Sequence, residues 1–318
     1  MECRVFGLLR KAVAARGRIG IALGREQIAL AIVQRDGEGL PILERCELLP
    51  VISGVPGDPH ALALKAAGLP KMAVSCALQS SDYQLALVEA PDVPPAELRA
   101  AMRWRLKDAI DFRVEDAIID VFEVPVQSRG GQARMMYAIA ARRTAIERIA
   151  TALVGQPNFD VVDVPELCLR NLAALLPAAA AGIALLHLGD TAASVIIVRG
   201  KTFYFARQMD LQATLHIGAD SGADGARIDS GSIVLELQRS LDYYERHFDQ
   251  PPITHMVVSP GGPRAAMLAT DLARETGLEV MPLDLNALLA CSTQVAADVQ
   301  AGCVLAVGAA LREERRTL

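Results

Sequence analysis

The sequence predicts an α/β protein built from two related lobes that face one another, and three observations predict it. A segment recurs: Arg18-Ile-Gly-Ile-Ala-Leu-Gly24 and Ile183-Ala-Leu-Leu-His-Leu-Gly189 each read as an apolar strand ending in x-x-Gly, followed by a second apolar strand, a turn and a third strand. Each such meander leads into helices that alternate with further strands, the pattern of a layered α/β lobe. The chain has 318 residues, 52 % of them hydrophobic and 22 % charged, which is a folded chain about two domains long. A ligand of such a protein belongs in the cleft between the lobes.

Taken in order, the first strand alternates large Ile19, Ile21 and Leu23 with small Gly20, Ala22 and Gly24, so one face packs and the other stays open. Residues 27–33 form the second strand, Asp36-Gly37 signals a hairpin, and residues 40–48 form the third. A strand over 72–78 precedes a helix over 94–110, opened by Pro95 and Glu97, and strands over 116–124 and 133–141. Helices over 143–154 and 165–176 enclose a strand at 161–164. Residues 172–188, interrupted by Pro177, read as a helix end, a linker and a buried strand. The second meander runs through 193–198, the turn Arg199-Gly200 and 202–207; residues 218–231 are a Gly/Ala/Asp-rich loop. Ile233, Leu237, Leu241 and Tyr244 stripe one side of a helix over 230–248. A strand at 254–259, a helix at 263–276, a strand at 278–281 and a helix at 295–312 complete the chain. The organisation is a basic amphipathic segment (1–17), a first lobe (18–177) with a small subdomain at about 79–142, and a second lobe (178–318).

Composition removes several function classes. Lys+Arg 32 against Asp+Glu 37 leaves a net charge of −5, without the basic excess that binds nucleic acid. Aromatics make up 4 %, too few for a base-stacking platform. Cys3, Cys46, Cys76, Cys168, Cys291 and Cys303 form no C-x-x-C pair and have no His at zinc spacing, so they read as reduced thiols of a cytosolic protein. No run of about 18 apolar residues would span a membrane, and Arg10, Lys11 and Arg16 interrupt any signal peptide. Those cations, with Arg4 and with Val5, Phe6, Leu9 and Val13 at helical spacing, leave two readings of residues 4–16. One is a short helix lying on acidic lipid; the other is a frayed helix packed on the protein, or a plainly disordered segment. Asp220-x-Gly-x-Asp224-Gly225 has Gly231 where a calcium loop needs glutamate. His60, His216, His247 and His255 show no ligand pairing, and Ser75, Ser194 and Ser240 sit in no nucleophile elbow.

Several segments carry a resemblance. Asp82-Tyr-Gln-Leu85, Glu89-Ala-Pro91, Ala101-Met-Arg-Trp-Arg-Leu-Lys-Asp-Ala-Ile-Asp-Phe112 and Val161-Val-Asp-Val-Pro-Glu166 resemble the MshI proteins of mannose-sensitive haemagglutinin type IV pili. Residues 235–244, Ser259-Pro-Gly-Gly262 and Ala306-Val-Gly-Ala-Ala-Leu-Arg312 are similar to PilM-type sequences more widely. The resemblance runs from Arg18 to Arg312. It implies an actin-like, ribonuclease H-like duplicated fold of the FtsA/PilM type, with a small additional subdomain.

The same resemblance implies a test for ATP chemistry. In that fold each meander's first strand ends Asp-x-Gly, and the carboxylates hold magnesium while glycine-turn amides cradle phosphate. Here the matching positions are Ala22-Leu-Gly24 and His187-Leu-Gly189; the glycines remain and the carboxylates are gone. Magnesium prefers hard oxygen ligands, so little hydrolysis is expected and no catalytic residue is assigned. Asp190 follows Gly189, but strand alternation and the turn should point it elsewhere. No cofactor is firmly implied; ATP held by Gly24, Gly189, Ser259, Gly261, Gly262, Glu236 and Arg239 is possible. Ser259-Pro-Gly-Gly262 equally reads as a strand-to-helix turn needing positive φ, and Glu236, Arg239, Asp242 and Arg246 as an ion-pair row.

Leu98, Met102, Leu106 and Ile110 follow i, i+4 spacing, while Trp104 and Phe112 lie off that stripe beside Arg103 and Arg105. Either Trp104 covers the edge of the small subdomain's core, or these four residues help line a surface for another chain. The resemblance implies a partner: the short cytoplasmic N-terminal segment of a PilN-like inner-membrane protein, captured by the additional subdomain. The implied role is a cytoplasmic pilus-assembly scaffold peripheral to the inner membrane. The alternative is a nucleotide-switched actin-like ATPase of pilus or type II secretion assembly.

Overall fold

In the computed structural model, residues 17–313 are described apart from 36–38, 55, 95–96, 126–133, 157, 190–191, 211–214, 217–226 and 229. Residues 1–16, the Asp36-Gly37 turn, Asp190 and residues 218–226 of the expected loop therefore lie outside the described residues; the loop reading fails at its end, where 227–228 form a strand and a helix starts at Ser230. The chain begins with β1 (Gly17–Leu23), β2 (Gln27–Gln34) and β3 (Ile42–Pro50), an antiparallel meander. α1 (Pro59–Ala66) starts at Asp58, whose carboxylate accepts the Ala61 N–H at 2.8 Å. It leads to β4 (Ala73–Ala77), which runs parallel to β1.

A small antiparallel sheet follows, made of β5 (Tyr83–Glu89), β6 (Ala117–Glu123) and β7 (Met135–Arg142), with α2 (Leu98–Leu106) between β5 and β6. Alternation along β6 gives the sheet two different faces. Ala117, Ile119 and Val121 pack with Met102 and Leu106 of α2, while Ile118, Asp120 and Phe122 point the other way. α3 (Arg143–Ala152) returns the chain to the first sheet, where β8 (Phe159–Asp163) pairs in parallel with β4; α4 (Pro165–Ala173) follows.

The second half repeats the plan. β9 (Ile183–Leu188), β10 (Ala192–Arg199) and β11 (Thr202–Asp210) form the meander, and β12 (Leu215–His216) pairs with β13 (Arg227–Ile228). α5 (Ser230–His247), β14 (His255–Ser259), α6 (Pro263–Thr276) and β15 (Glu279–Pro282) follow, then α7 (Leu285–Leu288), β16 (Ala290–Cys291) and α8 (Ala297–Ala310). The strand orders are β16-β3-β2-β1-β4-β8 and β11-β10-β9-β14-β15. In each sheet the meander's first strand takes a parallel strand on its free edge, so the echo read in the sequence is an echo of topology.

α4 and α8 pack together and join the lobes. One apolar cluster runs from Ala29, Ala31 and Val33 through Leu169, Leu172, Val304 and Val307 to Leu185, Ile196 and Val257. α8 is buried on most sides, which explains a helix apolar all round. It also corrects the expectation that β1 keeps one face open. A Cβ on Gly20 would stand 1.8 Å from the Ala306 carbonyl oxygen, and one on Gly308 would stand 2.4 Å from that of Cys168. The small face of β1 is the seat of α8. The last segment of the chain, β16 and α8, thus completes the first sheet although it follows the second in sequence.

Two other expectations change. α2 is shorter than 94–110: the Asp111 N–H turns to the Gln84 side chain at 2.9 Å, and Ile110 and Phe112 fold back onto the small core. The structure adds β5 and α1, which the sequence pattern does not predict.

Candidate functional site

The two glycine turns are built alike. The Gly24 N–H donates to the Gln27 carbonyl at 2.9 Å, and the Gly189 N–H to the Ala192 carbonyl at 3.0 Å. Both amides expected to cradle phosphate are therefore engaged in closing their own hairpins. A Cβ at Gly24 would lie 2.6 Å from the Gln27 oxygen and one at Gly189 2.9 Å from the Ala192 oxygen, so the tightness of each turn already demands glycine.

The residues two positions earlier differ. Ala22 packs with Ala77, Cys168, Ala309 and Leu305. His187 sits in register with Ser259, and its Nδ1 lies 3.2 Å from the buried Ser259 Oγ. Burial pushes the imidazole down to about 4, so it is neutral near pH 7. Of the candidate nucleotide residues, Ser259 is the one that faces His187, the position that lacks a carboxylate.

Gly261 is held close to a strand end: its Cβ would meet the Leu283 carbonyl oxygen at 1.9 Å. Gly262 has φ +117° and opens α6. Both border a pocket of about 480 Å³ with Asp284, Asn286 and Gln300. Glu236 and Arg239 do not line that pocket. They pair with one another across one turn of α5, and Glu236 also takes Arg207 at 2.9 Å. Those guanidinium contacts hold the Glu236 carboxyl below its usual range. With Arg246–Asp242 at 3.5 Å, α5 carries the ion-pair row that the spacing allowed.

In the small subdomain the four candidate partner residues separate. Phe112 packs with the small core under the Arg142 guanidinium, 4.2 Å from the ring centroid. Arg105 approaches Glu89 at 3.8 Å. Arg103 is exposed and Trp104 is 79 % exposed, so the indole does not cover the core's edge.

A larger feature was missed in the sequence. A groove of about 850 Å³ runs between the first sheet and the small sheet, reaching the β10–β11 turn of the second lobe. Consecutive residues of β8, from Asp160 to Asp163, line it, so the groove follows the strand's backbone edge. Opposite stand Ile118 and Asp120 to Glu123 of β6, with Lys201 and Phe203 at the lobe-2 end. Among the described residues β8 pairs with β4 alone. Asp163 gives its carbonyl to the Leu78 N–H at 2.9 Å on the β4 side. By alternation, the Val162 N–H and C=O face the groove.

The acidic side chains of β8 are tied back. Asp160 takes Arg18 at 2.6 and 3.1 Å, and Arg18 also donates to Ser75 at 2.7 Å. Asp163, pushed up by burial and opposed by Arg312, receives that guanidinium at 2.6 Å. The signal was present in Asp160 and Asp163: a central strand of a parallel sheet reads as continuously apolar, whereas charges mark an edge.

At the floor of the molecule Glu166 is fully buried and accepts from Tyr83 Oη at 2.6 Å and Gln208 Nε2 at 2.7 Å. It joins α4 to the small subdomain and to the second lobe, and burial raises its carboxyl above the usual range.

No protein-family model and no curated protein matches this chain. Among solved structures, the chain is similar to one in a PilM-PilN type IV pilus biogenesis complex. Identity is 21 %, over 93 % of this chain and 98 % of that chain, with a TM-score of 0.69. A Bacteroides thetaiotaomicron protein with an actin-like ATPase fold is similar at 8 % identity, over 89 % of this chain and 96 % of that chain, with a TM-score of 0.49. The cytoplasmic domain of EpsL, an inner membrane component of the Vibrio cholerae type II secretion system, is similar at 14 % identity, over 93 % and 96 %, with a TM-score of 0.47. Strand order and the first of these likenesses agree: the chain has an α/β, actin-like fold of two duplicated lobes with a small additional subdomain.

Proposed function

We propose that this protein is an assembly scaffold of a type IV pilus system, of the PilM-like kind and within it MshI-like, working at the cytoplasmic face of the inner membrane. It captures a short extended segment of a PilN-like inner-membrane protein in the groove along β8. The observation that carries this reading is the outward-facing main chain of Val162 on an edge strand beside a groove of about 850 Å³. An extended segment laid there gains main-chain bonds from β8, while Ile118, Phe122 and Phe203 offer apolar contact for alternate side chains. The likeness to a chain of a PilM-PilN type IV pilus biogenesis complex supports the same partner class.

The scaffold does not hydrolyse ATP in this reading. Neither Ala22 nor His187 supplies an oxygen ligand for magnesium, and a neutral imidazole hydrogen-bonded to Ser259 is a poor substitute. Nucleotide bound without turnover, at the pocket beside Gly261 and Gly262, is compatible with scaffolding.

The test is calorimetric titration of the full chain with a synthetic peptide of a PilN-like protein's cytoplasmic N-terminal segment. Val162→Pro, which removes the groove-facing N–H, should weaken binding about ten-fold. Lys201→Glu, at the rim, keeps the test alive if the proline variant does not fold. Unchanged affinity in both variants overturns the groove reading. Magnesium-dependent ATP turnover by the unaltered chain overturns the scaffold-without-hydrolysis reading.

A further inference from the structure

α2 is the outermost layer of the small subdomain, with Met102 and Leu106 at 0 % exposure turned inward and Trp104 at 79 % exposure turned outward. Residues 98–107 carry four cations and no acid in a protein whose net charge is −5. Arg99 and Arg105 stand near Asp120 and Glu89 at 3.7 and 3.8 Å. Arg103 and Lys107 are exposed and have no ion-pair partner among the described residues. One turn apart on the helix, they flank the indole on one outward side. Asp108 comes just after the helix and is also exposed. A lone exposed apolar side chain needs no explanation. A tryptophan bracketed by two unpaired cations on a convex helix face has the chemistry of the bilayer interface, where indole sits at headgroup level and each cation is attracted by anionic lipid.

We infer that the outer face of α2, centred on Trp104 between Arg103 and Lys107, docks on an anionic lipid bilayer. The convex face offers no groove for a peptide, while a membrane surface needs none. α2 covers the face of the small sheet opposite the one bearing Ile118, Asp120 and Phe122 toward the groove. Lipid docking would therefore hold the small subdomain at the bilayer with its groove turned to the cytoplasmic side. This placement rests on the groove reading above; the lipid contact itself does not.

Trp104 is the protein's only tryptophan, so its fluorescence reports this face alone. The full chain is titrated with vesicles of phosphatidylcholine alone or mixed with phosphatidylglycerol, reading both emission wavelength and co-sedimentation. Phosphatidylglycerol vesicles should shift the emission to shorter wavelength and pellet the protein; neutral vesicles should do neither. Arg103→Gln and Lys107→Gln, which keep the reporter, should each lower partitioning about five-fold, and Asp108→Asn should raise it. Raised salt should release the protein.

An emission unchanged by any vesicle overturns the inference, even if the protein pellets through residues 1–16; a variant lacking residues 2–16 separates that route. An equal shift with neutral vesicles overturns the anionic selection. A shift produced by the PilN-like peptide and not by vesicles makes this face a protein contact and overturns the lipid assignment. Groove binding is read by calorimetry without vesicles, so either reading can fail alone.

Discussion

The turn after β1 and the turn after β9 share a backbone and differ in content. Gly24 and Gly189 close equivalent hairpins with equivalent hydrogen bonds. Two residues before them, Ala22 lies among apolar neighbours next to α8, while His187 bonds Ser259. Two residues earlier again, Gly20 has the α8 backbone against it, whereas Leu185 fills space with a full side chain. The comparison teaches that the glycines of this fold answer to turn geometry and the variable position to chemistry. Glycines can outlast a phosphate site because the hairpins need them.

The largest expected break in the comparison is at the third position. Gly20→Ala drives a Cβ into the Ala306 carbonyl and must displace α8, so it should cost about 3 kcal/mol or more, or prevent folding. Gly20 differs here from Leu185, where Leu→Ala only opens a cavity, at about 2–5 kcal/mol, without moving a helix. Urea unfolding of both, with near-ultraviolet circular dichroism to report native packing, tells displacement from cavity. A Gly20→Ala protein of unchanged stability would mean that α8 is not seated as described.

Ala22→Asp sharpens the chemical side. A carboxylate placed among Ala77, Ala309 and Leu305 lacks a partner, and a cost of about 2 kcal/mol is expected. Combined with His187→Asp it should not improve peptide capture; improved capture would show that nucleotide control survives in the cleft.

His187 should make one half of the comparison acid-sensitive. Its folded value, about 4, lies below the ordinary 6.5, so the unfolded chain takes up the proton first. Stability is full above about pH 6.5 and drains as pH falls toward 4. Allowing for partial exposure, the loss by pH 4.5 is on the order of 1–2 kcal/mol. Glu166 has the opposite sign: its raised carboxyl contributes most below the ordinary 4.5, and that contribution is lost as pH rises through the folded value. Urea midpoints at pH 7 and pH 4.5 are therefore best compared in a Glu166→Gln background. There, His187→Gln should remove the acid loss, and an undiminished loss would locate it elsewhere.

The smallest contrast lies in the glycines themselves. Gly24→Ala and Gly189→Ala should each cost about 1 kcal/mol, Gly24 somewhat more because its Cβ would approach at 2.6 rather than 2.9 Å. Equal thermal shifts would indicate that one turn relaxes more freely than its geometry suggests.

Legibility in the sequence followed the range of the interactions. The bounds of α6 were readable because Pro263 opens it and Gly277 closes it in the left-handed region, both local signals. The buried stripe of α5 was readable from its period. β5 was not: Leu85, Ala86, Leu87 and Val88 are all half-buried, which leaves no alternation to see. α1 had its signal in Asp58-Pro59, but eight residues give little periodicity. Trp104 lies off the core stripe by spacing alone, but its 79 % exposure comes from the fold. The groove depends on β8 meeting β4 and on the small sheet standing across from it, and neither pairing has a local signature.

α8 also bears on the order in which the molecule is made. β1 finds the helix that covers its small-residue face only when residues 297–310 have been synthesised. Until then a sheet with five of its six strands already made holds an uncovered apolar side. A growing chain in that condition is exposed to association and to chaperones throughout the synthesis of its second half. A chain cut before residue 297 would lose the cover of β1 together with α8 itself.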